Sequence, residues 1–362
     1  MRNFYGKTLV LFTFTIIFCV QFPAQTKQTE NSEVQKVAEG VYTLIRKEPP
    51  SLWFDPNVTF IINEADVIVV DANITSKSSK EVIAALKKLT DKPVKYVINT
   101  HWHEDHIIGN KAYREAFPNV EFIGHISTLK DLPTVGASNR KQTLENGGGF
   151  VKYLKEIIGK NQNLEGKPIT EEERLGYSSD IKIIEQYLAE SKDFQIILPT
   201  IAVEDSLTIH RGSRTIEILH LGRAHTAADL VVHLPQENIV ISGDLIVHPV
   251  PLIGSTSYPL EYGATLEKML ALQPKIIIPG HGPVMREDSY AKLMIQMLAS
   301  LKQQIESAVR RGETLEQARK SVNLEEFRKG FAGNSQHKSV VFKNYVTNPA
   351  ITAAFRQAME KK

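Results

Sequence analysis

Apolar residues along this chain follow two rhythms: short, nearly continuous runs rich in Val and Ile, and longer stretches where they recur every three or four positions. The short runs predict strands buried on both faces, and the longer ones helices with a single apolar side. Residues 37–45 and 58–62 read as an antiparallel strand pair. The loop between them is bounded by prolines and carries Trp53 and Phe54 side by side. Residues 67–70 make the next strand, closed by Asp71, and Val82, Ile83, Leu86 and Leu89 then show helical spacing. Residues 94–98 return to a strand. Strand, helix, strand is a βαβ unit, in which ligands gather beyond the carboxyl ends of the strands.

A short helix at 112–117 and a strand at 120–124 come next, the strand leading to His125, a histidine expected to be structural or pocket-lining. From about 128 to 191 the chain turns to Lys, Glu, Asn and Gly, with helical stretches at 150–158 and 181–188 and a helix start at Thr170-Glu171-Glu172-Glu173. This segment reads as a helical insertion, able to roof a site or to lie on the surface. Strands resume at 207–210 and 215–220, a hairpin around Arg211-Gly212-Ser213-Arg214 that makes His210 and His220 structural histidines. Residues 230–234 and 239–243 form another pair, with Asp244 directly after it, and 275–278 run into Pro279-Gly280-His281-Gly282. Beyond 285 only helical spacing remains, at 290–310, 324–331 and 351–359, with a capping box at Thr314-Leu315-Glu316-Gln317. These last helices are expected to pack on the core or to form a small appendage.

Composition changes this picture at one end only. The 362 residues suffice for one large domain or two small ones, and 43 Lys and Arg nearly balance 41 Asp and Glu. No basic excess argues for nucleic acid. Arg2 and Lys7 precede an apolar stretch over 8–20, shorter than the roughly 20 residues a membrane span needs. Ala24 offers a small residue for cleavage. The expected organisation is a secretory signal over 1–24, a polar linker over 25–36, a catalytic core over 37–285 and a helical extension over 286–362. Cleavage after Ala24 removes Cys19, the only cysteine, so the mature chain has neither a disulfide nor a thiolate ligand. It would work in the periplasm or outside the cell, with no stable membrane anchor once the signal is gone.

The candidate chemistry is concentrated in Asn99-Thr100-His101-Trp102-His103-Glu104-Asp105-His106, directly after a strand. His101 and His103 are two apart, so in an extended segment they face the same way and can grip one ion. Asp105 and His106 follow where the chain turns and can point at a second. Imidazole and carboxylate donors suit a borderline cation such as Zn²⁺.

The stretch resembles the His-x-His-x-Asp-His signature of the metallo-β-lactamase superfamily. Gly222-Arg223-Ala224-His225-Thr226, Asp244 and Gly280-His281-Gly282 match its later segments in order. The resemblance spans roughly 37–285 and implies an α/β fold, an αβ/βα sandwich with metals at one edge. It implies two Zn²⁺ per chain: one on His101, His103 and His225, the other on Asp105, His106 and His281, with Asp244 between them. Asp71 would brace the metal loop through hydrogen bonds. Asp105 would orient the attacking group, a hydroxide that two cations make available at neutral pH. Trp53 and Phe54 would hold the apolar part of a small-molecule substrate, though Trp53 can equally plug the domain's own surface. The activity implied is hydrolysis of a small amide, lactam or ester, with a β-lactam first. A glyoxalase-like thioesterase, a lactonase or esterase, and an iron oxidoreductase of the same fold are the alternatives.

Overall fold

A computed structural model describes residues 32–47, 49 and 51–360. The expected signal and residues 25–31 of the expected linker lie outside the described residues. The rest of that linker is a correction: Ser32 to Lys36 belong to a strand. Strand β1 (Ser32–Ala38) turns through Glu39 and Gly40 into β2 (Val41–Arg46), so the single strand expected over 37–45 is a hairpin. Gly40 sits at φ +68°, a conformation that glycine adopts without strain.

The first sheet has seven strands in sequence order. After β1 and β2 come β3 (Val58–Ile62), β4 (Val67–Val70), β5 (Val94–Ile98), β6 (Glu121–His125) and β7 (Ile201–Val203). It is antiparallel as far as β4 and parallel from β4 to β7. The parallel part needs crossovers. These are α1 (Ser76–Leu86), the short α2 (Glu104–Ile107) with α3 (Asn110–Ala116), and the insertion, which comprises α4 (Thr128–Asp131), α5 (Ala137–Gly159) and α6 (Glu171–Glu190). Thr170 caps α6 through a capping box with Glu173.

The second sheet has five strands: β8 (Ser206–Arg211), β9 (Arg214–Leu219), β10 (Val231–Leu234), β11 (Ile239–Val247) and β12 (Ile276–His281), with β12 parallel to β11. Alternation along the strands explains the layers. Ile68, Val70, Ile239, Ile241, Ile276 and Ile278 face inward and meet between the sheets. Val67 and Val69 face outward onto α1 and α3. Val240 and Ile277 face the opposite side, under α7 (Pro259–Ala271) and α8 (Ser289–Arg310). The result is the expected αβ/βα sandwich.

The C-terminal segment continues through α9 (Leu315–Ser321), α10 (Glu325–Ala332), α11 (Gln336–Phe342) and α12 (Asn348–Glu360). Leu301, Ile305, Ile351 and Ala354 share one apolar core with the outer face of the second sheet. These helices are therefore packed on the core. They also touch the insertion, where Ser335 Oγ donates to Glu172 Oε2 and Tyr177 meets His337 edge-on at 5.6 Å.

Candidate metal centre

The candidate ligands lie beyond or within strand ends: His101 and His103 after β5, Asp105 and His106 on α2, His225 in the loop between β9 and β10, Asp244 in the deformed part of β11 and His281 at the end of β12. Asp71, at the end of β4, takes a left-handed φ of +66° and turns its carboxylate toward the loop after β5. There Thr100 N and Thr100 Oγ1 both donate to it, at 2.8 and 2.9 Å. Its Oδ2 also lies 2.9 Å from His106 Nδ1. One buried carboxylate thus contacts both the start and the end of the histidine-rich loop.

Two glycines set the position of Asp244. Gly243 has φ +50°, and a Cβ there would stand 2.6 Å from the Thr100 side chain. A Cβ on Gly280 would stand 2.0 Å from Asp244 Oδ1. Both places need glycine for close approach. β11 does not end at Gly243 as expected; it runs on to Val247 with its register shifted on both sides of Gly243, and this deformation presents Asp244.

The remaining nitrogens of the histidines define which atom each one offers. Thr100 Oγ1 gives its proton to Asp71, so at 3.1 Å it accepts from His101 Nδ1–H and leaves His101 Nε2 with a lone pair. His225 Nδ1 donates to Leu252 O at 2.9 Å, and His281 Nδ1 donates to Asp55 O at 3.2 Å. His103 is reversed: Nε2 bonds Thr256 Oγ1, and Nδ1 points inward. His103 Nδ1 and His225 Nε2 then face each other at 2.9 Å. Two lone pairs at that distance need a proton or a cation between them.

Two groups result, each with its donor atoms within 4.8 Å of one another: His101, His103 and His225, and Asp105, His106, Asp244 and His281. Asp244 joins them. Its Oδ2 lies 3.5 Å from His225 Nε2 and 4.0 Å from His101 Nε2. Its Oδ1 lies 3.4 Å from both His106 Nε2 and His281 Nε2. His101 Nε2, His106 Nε2, Asp244 Oδ1 and His281 Nε2 are buried and have no hydrogen-bond partner. Buried donors left in this state are costly unless something takes their lone pairs. A cation in each group satisfies them, so the residues present fit metal ions.

The electrostatics agree. Burial, reinforced by the neighbouring imidazoles, pushes His101 well below its ordinary value, and burial takes His103 down to about 3. Both are therefore neutral and free to ligate. Burial alone would raise Asp105, but His106 and His281 outweigh it and hold the carboxyl well below the usual range. Burial also opposes charge on His106, yet Asp105, Asp71 and Asp244 draw positive charge toward it. A field that favours a proton there favours a metal ion equally.

Four further residues support the centre without any local sequence signal. Glu104, inside the loop, accepts from Arg140 Nε and Tyr187 Oη, both at 2.5 Å, and so ties the loop to α5 and α6. On α6, Asp180 Oδ1 accepts from Leu52 N and Trp53 N at 2.9 and 2.7 Å. The Trp53 ring meets Tyr187 edge-on at 5.7 Å, among Ile74, Ile108 and Ile183. Trp53 is thus held in a wall, whereas Phe54 packs directly on the His281 ring at 4.2 Å. His125 and His220 stack on each other at 4.0 Å, away from both groups; His220 lies just past β9 and not within it.

An αβ/βα sandwich with two linked metal-ligand groups at the ends of its strands defines the class. A family model described as the metallo-beta-lactamase superfamily matches residues 52–281, and the chain belongs to that superfamily. A linear primary-alkylsulfatase from Pseudomonas sp. (strain ATCC 19151) is 26% identical over 227 residues. The match covers 60% of this chain and only 39% of that protein. Among solved structures, VMB-1 superimposes with a TM-score of 0.51 at 16% identity, covering 75% of this chain and 99% of its own. A metallo-beta-lactamase from Pontibacter korlensis gives 0.48 at 16% identity, covering 74% of this chain and 99% of its own.

The anchoring of the Trp53 loop is open to a pH test. Burial raises the Asp180 carboxyl from 3.8 to about 7, against the donations from Trp53 and Leu52. With the folded value above the unfolded one, the group's contribution to stability is largest below about 4 and is lost as the pH rises through about 7. Asp180→Asn keeps an acceptor and removes the ionisation. Its melting temperature relative to wild type is expected to rise between about pH 5 and about pH 8; a constant difference would contradict the assignment.

Proposed function

We propose that this protein is a metal-dependent hydrolase that carries two zinc ions and cleaves an ester, lactam or amide bond of a small substrate outside the cytoplasm. The observation that carries the reading is Asp244: one of its oxygens faces each ligand group, as a carboxylate shared by two ions would. Five imidazoles, a further carboxylate and the absence of any thiolate donor from the two groups suit zinc. When bound, such ions supply a hydroxide nucleophile at neutral pH and polarise the bond under attack.

The chain's own residues do the rest. Asp71 and Thr100 hold the loop so that His101, His103 and His106 converge. Leu252 O and Asp55 O fix the ring orientations of His225 and His281. Asp105 and Asp244 would offset part of the charge of two such ions, and Asp105, the most exposed member of the second group, would orient the attacking group. Phe54 shields the outer side of His281 from water.

A sulfate ester is the second reading of the substrate, favoured over the β-lactam by the similarity to an alkylsulfatase. Among the described residues no helix is long and apolar enough to cross a membrane. Export rests on the charged, apolar and small-residue pattern of the first 24 residues. N-terminal sequencing of the exported form is expected to begin at Gln25; a chain that keeps Cys19 would overturn the export signal.

Metal analysis of purified protein should give about two zinc per chain. Asp244→Ala should lower that to about one or less, and turnover by about 100-fold or more, since it removes a donor from both groups. The panel is a β-lactam, a lactone, a carboxylic ester, a thioester and a primary alkyl sulfate. One metal per chain in the unmutated protein, or mainly iron, would overturn the dizinc reading; no turnover of any of the five by metal-loaded protein would overturn the hydrolase.

A further inference from the structure

Beside the metal centre lies a cavity of about 360 Å³, within the range of about 300–1,000 Å³ typical of small-molecule sites. It shares a wall with the second ligand group, because His281 and Phe54 both line it. The other walls come from three distant parts of the chain. Ile45 comes from the end of β2, Val247 and Val250 from the end of β11 and the turn after it, and Val341 and Tyr345 from the C-terminal helices. The cavity therefore exists only because the helical extension is packed against the catalytic core.

Its charge balance says what it can hold. Two cationic side chains line it, and each already faces a carboxylate. Arg46 Nη2 is 3.7 Å from Asp55 Oδ2, with both side chains at least nine-tenths buried. Lys338 Nζ is 3.8 Å from Glu172 Oε1. Arg46 Nε and Nη2 are buried without a hydrogen-bond partner, a single polar edge, while Ile45, Phe54, Val247, Val250 and Val341 present hydrocarbon. Away from that edge the space favours an apolar occupant, since an ion buried against the hydrocarbon walls would lose its hydration with no partner there in return.

We infer that this cavity binds the aliphatic portion of the substrate whose reacting group lies at the metal centre, so that substrates are amphiphilic, with a hydrolysable head and a hydrocarbon chain. The inference rests on the hydrolase reading for the identity of the head, and on the cavity alone for the chain. Phe54 joins the two parts: one side of its ring packs on His281, and the residue also lines the chain site. Each methylene buried in such a site adds a roughly constant increment of affinity, so binding should strengthen with chain length until the cavity is full.

Titration calorimetry with neutral 1-alkanols tests the chain site without requiring turnover. 1-Octanol is expected to bind saturably, one per chain, at least tenfold more tightly than 1-butanol, with metal-loaded and metal-free protein alike. Ile45→Trp, at a half-buried position, fills the cavity and should weaken 1-octanol at least tenfold while metal content and melting temperature stay as in wild type. Val341→Ala enlarges the cavity and should bind 1-decanol at least as tightly as wild type does. Equal binding of butanol and octanol, or undiminished octanol binding by a folded Ile45→Trp, overturns the chain site. Turnover of the ester panel without alkanol binding overturns this inference alone, whereas alkanol binding without metal or turnover leaves the chain site standing and overturns the hydrolase.

Discussion

The structure depends on one electrostatic demand: seven candidate ligands converge, and His101 Nε2, His106 Nε2, Asp244 Oδ1 and His281 Nε2 are buried among them with no hydrogen-bond partner. Two facing imidazole nitrogens and a carboxylate with a free buried oxygen repel each other until cations sit among them. Much nearby structure can be read as a response to that demand. Asp71 accepts the left-handed backbone that lets its carboxylate reach both Thr100 and His106. Gly243 and Gly280 give up side chains so that the Asp244 carboxylate can stand between the groups.

Topology makes this convergence possible. Parallel strands β4 and β5 in one sheet, and β11 and β12 in the other, end on the same side, and the two sheets press together through Ile and Val side chains. Loops leaving those ends have nowhere to go but toward each other. The insertion and the C-terminal helices then close the sides. α6 secures the Trp53 loop and, with α5, the metal loop, while α11 and the segment after it complete a wall beside His281. Elements peripheral to the sandwich thus shape what can reach its centre.

The candidate ligands were legible in the sequence because of the dense histidine-rich stretch at 101–106 after a strand and because the later segments match the superfamily's pattern in order. An apolar run predicts a strand, its end predicts a loop, and a histidine or aspartate at that junction has little structural reason to be there. The same runs predicted the strands and helices, and the resemblance to the superfamily supplied their arrangement in layers. Glu39-Gly40 went unread as a turn because apolar residues continue on both sides of it, and the polar start of β1 looked like linker for want of hydrophobic pattern. Glu104, Arg140, Asp180 and Tyr187 left no trace in the sequence. Their partners lie 36 to 128 positions away, and the pairings exist only once the insertion has docked. The cavity beside His281 was equally hidden, since its walls meet only in the folded chain.

The central claim is that Asp244 holds two ions apart and together. Anomalous diffraction at the zinc edge from crystals of the purified protein tests it most directly. The account predicts two peaks per chain, one among His101, His103 and His225 and one among Asp105, His106 and His281, with one oxygen of Asp244 directed at each. A single peak, with Asp244 turned away from it, would contradict the account.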